Sequence, residues 1–329
     1  MLYQSEFITR LEAGLRSVLP AWGLSDATEV SLLTVSENAT FLARDPARPA
    51  PVVLRVHRPN YHTRDEIASE LAWIEALRDA GTVETPALIP TTAGGYITAF
   101  EDGPETRHVV GFAFMEGSEP DADAGLIPGF VTLGEISARL HQHTERWQTP
   151  PGFTRKTWDF ETAFGPAPHW GLWRDALGLT PAGADTLQSA LDRLATRLDA
   201  YGKASDHFGL VHADLRLANL LARADGLGVI DFDDCGYSWF MYDFAAAISF
   251  LELDPIVPDL QAAWLDGYQR VRALGADDIA MLPDFILFRR ILLTAWIASH
   301  RETETARDAG LEAYTDGTVR LARTYLAAT

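Results

Sequence analysis

Residues 209–236 read GLVHADLRLANLLARADGLGVIDFDDCG. The pairs Leu210-Val211, Leu220-Leu221 and Val229-Ile230 are apolar runs suited to a core, yet His212, Asp214, Arg216, Asn219, Asp231, Asp233 and Asp234 are set among them. A charge removed from water without a partner is strongly unfavourable, so these groups need counter-charges, hydrogen bonds or a ligand. Asp214 and Asn219 are five residues apart, His212 stands two before the aspartate, and Asp231 follows Asn219 by twelve at the end of a Val-Ile strand. An aspartate able to accept a proton, with an asparagine and a second aspartate able to offer oxygen to Mg²⁺, are the parts that phosphoryl transfer requires. That reaction asks a protein for positioning, neutralisation of phosphate charge and a base near the attacking hydroxyl. Mg²⁺ prefers oxygen ligands and is held by one or two protein groups plus phosphates and water. The plain structural reading of the same stretch is a capped turn between two β-segments.

The run HADLRLANLL, followed by VIDFDD, resembles the catalytic loop and metal-binding segment of the kinase fold, H-x-D-x-x-x-x-N and then D-F-G. The D-F-D-D variant, with no A-P-E segment after it, is similar to the aminoglycoside phosphotransferase/choline kinase/homoserine kinase superfamily more than to eukaryotic-type protein kinases. The resemblance implies a bilobal protein-kinase-like α+β fold, with ATP and Mg²⁺ as cofactors and a hydroxyl as acceptor. It implies Asp214 as base, with Asn219 and Asp231 as Mg²⁺ ligands. Arg216 falls where protein kinases carry a lysine that contacts the γ-phosphate. The lysine that normally serves the ATP phosphates matches Arg55 in PVVLRVHRP, while Lys156 and Lys203 lie in the other half of the chain. Arginine keeps the charge, but the two side chains are not interchangeable. Ser36, Asn38 and Thr40 of SENAT are the candidates for the phosphate-covering turn, which lacks glycine. FAFMEG resembles the hinge that receives adenine, near Met115 and Gly117. Asp243 reads as a structural brace and His212 as a packed histidine.

These residues need elements to hold them. EVSLLTVSENATFLAR (29–44) and APVVLRVHRP (50–59) are β-rich runs, and TRDEIASELAWIEALRDAG reads as a helix. Thr63 and Glu66 have capping-box spacing, and Gly81 is a stop. Its apolar stripe is Ile67, Leu71, Ile74 and Leu77; Glu70 lies roughly 60° from Ile67, within the stripe, so it needs a partner and is the choice to pair with Arg55. Two more strands end near Glu116 and Gly117. From about residue 127 the pattern is mainly helical, including 130–147 and 186–202, interrupted by the stretch quoted first. The expected division is a small β-rich lobe with one helix, 1–116, and a larger helical lobe, 117–329, that carries the acceptor. Asp233, Trp158, Trp170 and Tyr237 are the acceptor-side candidates. Aromatic faces and carboxylates hold amines, and the same aromatics would equally fill a helical core.

The chain has 329 residues and a net charge of −19. Such a field disfavours nucleic acid and anionic membrane surfaces and tolerates a cationic small molecule. Cys235 is the only cysteine, so no intrachain disulfide forms. The N-terminal stretch lacks the pattern of a signal peptide, no apolar run is long enough for a bilayer span, and the expected location is the cytoplasm. The leading expectation is a phosphotransferase acting on a small, amine-bearing alcohol such as an aminoglycoside, choline or homoserine-like molecule. A protein Ser/Thr kinase on the same scaffold and a catalytically weak nucleotide-binding pseudokinase are the alternatives.

Overall fold

A computed structural model describes residues 5–35, 38–120, 125–223 and 226–328. These residues divide into two compact units. The first holds the described residues up to 118 with 148–155 and 223–233; the second holds those of 119–147, 156–222 and 234–328.

In the first unit, helix α1 (Ser5–Val18) precedes β1 (Glu29–Val35), β2 (Ala39–Arg44) and β3 (Val52–Val56). Helix α2 (Arg64–Asp79), β4 (Ile97–Asp102) and β5 (Glu105–Ala113) follow, and the sheet runs β1-β2-β3-β5-β4, antiparallel throughout. The helix α1 was not expected. It forms because Phe7, Leu11 and Leu15 recur at helical spacing and bury against Phe41, Leu54, Phe100 and Val109 of the sheet. Helix α2 opens on the expected capping box, the Thr63 hydroxyl accepting from the Glu66 N–H and the Glu66 carboxylate from the Thr63 N–H, an arrangement worth about 1 kcal/mol. It ends one turn-residue before Gly81, which takes the left-handed conformation at φ 61°.

The first unit also claims two segments that the sequence assigns beyond residue 116. Residues 148–155 join it because Arg155 donates to the carbonyls of Glu66 and Asp233, and the Thr154 N–H donates to Ser69. Residues 223–233 join it through the Val229 N–H bond to the Glu84 carbonyl and the edge-on packing of Phe232 against Trp73. Asp231 and Asp233 therefore belong to the same unit as Arg55.

The second unit contains α3 (Leu126–Arg146), α4 (Phe160–Phe164), α5 (Pro181–Tyr201), α6 (Tyr242–Ala247), α7 (Val257–Val271), α8 (Ala276–Ala280), α9 (Leu282–Ser299), α10 (Glu304–Asp308) and α11 (Leu311–Ala327). Between α5 and α6 in the chain come β6 (Phe208–Val211), β7 (Leu220–Arg223), β8 (Gly226–Val229) and β9 (Gly236–Trp239), of which β8 belongs to the first unit; β9, not expected from the sequence, pairs antiparallel with β6. β6 leads directly into the polar loop 212–219. Helix α9 is buried almost all round, from Leu282 to Ala298, as expected of a helix without a polar face. Among the described residues, no helix is long and apolar enough to cross a membrane.

Helices α3 and α7 approach closely at two glycines. A Cβ on Gly134 would lie 2.0 Å from the Trp264 carbonyl oxygen, and one on Gly267 would lie 1.9 Å from that of Val131. Gly134→Ala is expected to destabilise by about 1–3 kcal/mol through forced separation of the backbones. Gly129→Ala, on the same helix but with open space, should gain about 0.5–1 kcal/mol from lower backbone entropy. Denaturant unfolding of the two variants checks both signs.

Candidate active site

The loop after β6 turns through Ala213, a non-glycine residue at φ 66°, a conformation that costs about 1–2 kcal/mol. Its N–H donates to Asp243 Oδ1 at 2.9 Å, and its carbonyl accepts from Arg289 Nη1 at 3.2 Å. The turn aims the next side chain, Asp214, whose two oxygens have different partners. Oδ1 accepts from Arg289 Nη2 at 2.6 Å; Oδ2 accepts from Asn219 Nδ2 at 2.7 Å and Arg216 Nε at 3.1 Å. Burial works to raise the Asp214 carboxyl, but Arg216 and Arg289 outweigh it and hold it below the usual carboxylate range. Asp214 is thus ionised at neutral pH.

Asn219 commits its amide nitrogen to the carbonyl and carboxylate of Asp214. With the amide nitrogen so used, the amide oxygen remains an acceptor, a ligand type that a hard divalent ion takes. Asp243 is fully buried, as a brace requires. Its Oδ2 accepts from His141 Nε2 at 2.9 Å, and His141 Nδ1 accepts from the Tyr268 hydroxyl at 2.8 Å. With Nε2 donating to the carboxylate, the neutral ring leaves Nδ1 as its acceptor. Burial, the largest influence, pushes the His141 pKa down, so the ring is neutral. His212 is packed without exposure, and its Nδ1 accepts from the Asp214 N–H at 3.3 Å.

In the first unit, Arg55 on β3 and Glu70 on α2 are ion-paired, Nη2 lying 2.7 Å from both carboxylate oxygens. Glu70 is fully buried, which accounts for a carboxylate within an apolar stripe. Arg55 Nη1 stands 3.5 Å from Asp231 Oδ1, and the guanidinium lies 5.3 Å from the Phe112 ring centroid. Burial works against the Arg55 charge, but Glu70, Asp233 and Asp231 together keep it cationic. The Asp231 side chain is 46% exposed, with its backbone at φ 59°, and a carboxylate is a ligand type that an oxygen-seeking ion takes. Asn38 is buried, its side-chain oxygen accepting from the Arg58 N–H at 3.0 Å. Thr40 lies half-buried opposite Arg55 in the β2–β3 register. Ser36 lies outside the described residues. Met115 and Gly117 follow β5, the first half-buried and the second exposed.

Residues 31–274 match the model of the phosphotransferase enzyme family. The chain belongs to that family. Among curated proteins, this phosphotransferase is 26% identical to amicoumacin kinase of Bacillus subtilis over 254 residues, 74% of this chain and 72% of that one. Among solved structures it is similar to a microcompartment-associated aminopropanol kinase, with TM-score 0.87 and 42% identity, covering 95% of this chain and 97% of the other. It also shares the fold of the amicoumacin kinase hAmiN, a structure in complex with AMP-PNP, Ca²⁺ and Ami, with TM-score 0.78 and 20% identity over 97% and 96% of the two chains. The fold is the protein-kinase-like α+β fold of choline kinases and aminoglycoside phosphotransferases.

Of the acceptor-side candidates, Asp233, Trp158 and Trp170 are buried and Tyr237 is half-buried. Asp233 is 6% exposed and enclosed in its own unit by His57 at 3.4 Å, His62 at 3.6 Å and Arg55 at 3.9 Å. Despite burial, these cations and rings hold its carboxyl well below the usual range. Its surroundings make it a counter-charge for Arg55 and His62. Trp158 and Trp170 are buried with ring centroids 5.0 Å apart, Trp158 Nε1 donating to the Asp234 carbonyl; they fill a core. Tyr237 is half-buried, and burial raises its phenol pKa.

Two further residues, Arg289 and His141, hold the Asp214 loop, Arg289 directly and His141 through Asp243. The signal for Arg289 was the Arg-Arg pair inside an otherwise apolar helix, FILFRRILL. That for His141 was a ring on the apolar face of α3, eight residues from Leu133.

Arg55→Met should destabilise the protein by about 3–5 kcal/mol, because it strands the Glu70 charge in the interior; chemical denaturation measures it. Lowering the pH from 7 to 5 should lower the melting temperature. Histidines with depressed folded pKa values, His57, His108 and His141, stay neutral in the fold while the unfolded chain takes up protons below its ordinary value of 6.5. His62 shifts upward and opposes this, so the difference between the wild type and His141→Gln isolates the His141 share. That variant should lose less stability over the same pH interval.

Proposed function

We propose that this enzyme transfers the γ-phosphate of ATP to the hydroxyl of a small amino alcohol, with Mg²⁺ as the metal. The observation that carries the reading is the Asp214 carboxylate, ionised and tied to Asn219 at 2.7 Å. An oriented acceptor for a hydroxyl proton is thereby coupled to an amide whose oxygen remains for a cation. The substrate class draws support from similarity to an aminopropanol kinase over nearly the whole chain. A net charge of −19 favours the approach of an ammonium-bearing molecule.

In this reading Asp214 accepts the acceptor's hydroxyl proton, the acceptor oxygen forms a bond to the γ-phosphorus, and the bond from that phosphorus to the ADP oxygen breaks. The carboxylate is a weak base, held by two arginines. That suits a loose transition state, in which the nucleophile needs orientation more than early deprotonation. Asn219 Oδ1 and the Asp231 carboxylate are the oxygen ligands assigned to Mg²⁺, which when bound neutralises phosphate charge. Arg216 and Arg55 are assigned to the phosphates. Ser36, Asn38 and Thr40 are assigned to the covering turn, and Met115 and Gly117 to adenine.

ATP with Mg²⁺ should raise the melting temperature. Asp214→Asn should keep that shift and lose transfer by about 10²–10⁴-fold, while Asp231→Ala should lose the Mg²⁺-dependent part of the shift. Full turnover by Asp214→Asn would remove the base assignment, and no response to ATP at all would remove the nucleotide assignment.

A further inference from the structure

Helix α9 places two consecutive arginines in a buried environment. Arg290 is accounted for locally: it pairs with Glu252 at 2.6 Å, donates to Thr318 and the Tyr314 carbonyl, and covers the Tyr314 ring. Arg289 uses all three guanidinium nitrogens on the Asp214 loop and its supports. Nη2 donates to Asp214 Oδ1 at 2.6 Å; Nη1 donates to the Ala213 carbonyl at 3.2 Å and the Tyr242 hydroxyl at 2.9 Å; Nε donates to Ser249 Oγ at 3.1 Å. Its carbon CZ lies 5.1 Å from the Trp170 ring centroid, and the residue is 2% exposed.

We propose that Arg289 is a positioning residue for the transfer, selecting which lone pair of Asp214 meets the acceptor hydroxyl. The inference rests on the phosphotransfer reading of Asp214 given above. An ionised carboxylate offers about four acceptor directions. Asn219 and Arg216 take both on Oδ2, and Arg289 takes one on Oδ1, so the remaining direction belongs to Oδ1. The Asp214 side chain is 14% exposed, enough for one small group to reach it. Arg289 fixes the rotation of the carboxylate and at the same time the left-handed carbonyl that precedes it. A planar fork can reach a carboxylate, a carbonyl and two hydroxyls together; a lysine ammonium donates from a single point and cannot. Arg289 touches neither nucleotide nor acceptor in this account and acts through Asp214.

Steady-state transfer to an amino alcohol, read with ATP-induced thermal stabilisation, tests the proposal on Arg289→Ala and Arg289→Lys. The alanine variant should bind ATP as the wild type does, with kcat lowered about 100-fold and KM for ATP little changed. Added guanidinium ion should restore part of kcat to the alanine variant and none to the wild type. In an Asp214→Asn background, removing Arg289 should cost little more, because residues that act as one unit are non-additive. The proposal is overturned if Arg289→Ala keeps wild-type kcat, or if its loss is equally large without Asp214. Should the alanine variant fail to melt cooperatively, Arg289→Lys decides: reduced kcat with normal ATP stabilisation supports positioning, and unchanged kcat overturns it. A wild type that transfers to no amino alcohol sinks the functional reading and this inference with it. Transfer that depends on Asp214 but not on Arg289 sinks this inference alone.

Discussion

A carboxylate in a partly buried loop must be paid for, and the way Asp214 is compensated organises the second unit. Three donors hold it: Arg289 from α9, with Arg216 and Asn219 from its own loop. The loop can present these groups only by passing through a left-handed alanine, which Asp243 and Arg289 clasp from both peptide faces. Asp243 in turn depends on a neutral His141 from α3, itself oriented by Tyr268 of α7. The α3–α7 approach at Gly134 and Gly267 therefore lies on the chain of contacts that ends at Asp214. One ionised group thus accounts for a buried arginine, a buried histidine, a backbone strain and a glycine-mediated helix crossing.

The first unit repeats the principle around a cation. Arg55 is surrounded by Glu70, Asp231 and Asp233, with His57 beside the same oxygen of Asp233 and His62 beside the other. Buried ion pairs of this kind add little net stability over apolar packing and are very costly to break singly. Their value lies in fixing geometry. Arginine serves such positions better than lysine because its planar fork keeps its charge and bonds two oxygens at once, as Nη2 does with both oxygens of Glu70. That use of arginine is in keeping with a chain holding only two lysines among its 27 basic residues.

What was legible in the sequence was local. Asp214, Asn219 and Asp231 stood out because polar groups interrupt apolar runs at short, motif-like spacing, and the Thr63–Glu66 box declared the start of α2. Glu70 could be paired with Arg55 because helical periodicity turns it inward. The illegible parts depend on partners far along the chain. Arg289 lies 75 residues from Asp214 and His141 lies 102 from Asp243, and nothing in an all-apolar helix says which loop its arginine will reach. Asp233, which the sequence offers to the acceptor, is another such case: His57 and His62, far back in the chain, enclose its carboxylate. Trp158 and Trp170 show the limit of composition, since aromatic residues suited to an ammonium ion are equally suited to a core. Helix α1 was missed because its stripe is short and finds its complement only once the sheet exists.

The proposed phosphoryl transfer to a small amino alcohol can be observed directly by ³¹P NMR of the wild-type protein with ATP, Mg²⁺ and aminopropanol. The predicted result is decay of the γ-phosphate resonance with ADP and a phosphomonoester growing in equal amounts. ATP left intact, or ADP accompanied only by inorganic phosphate, would contradict it.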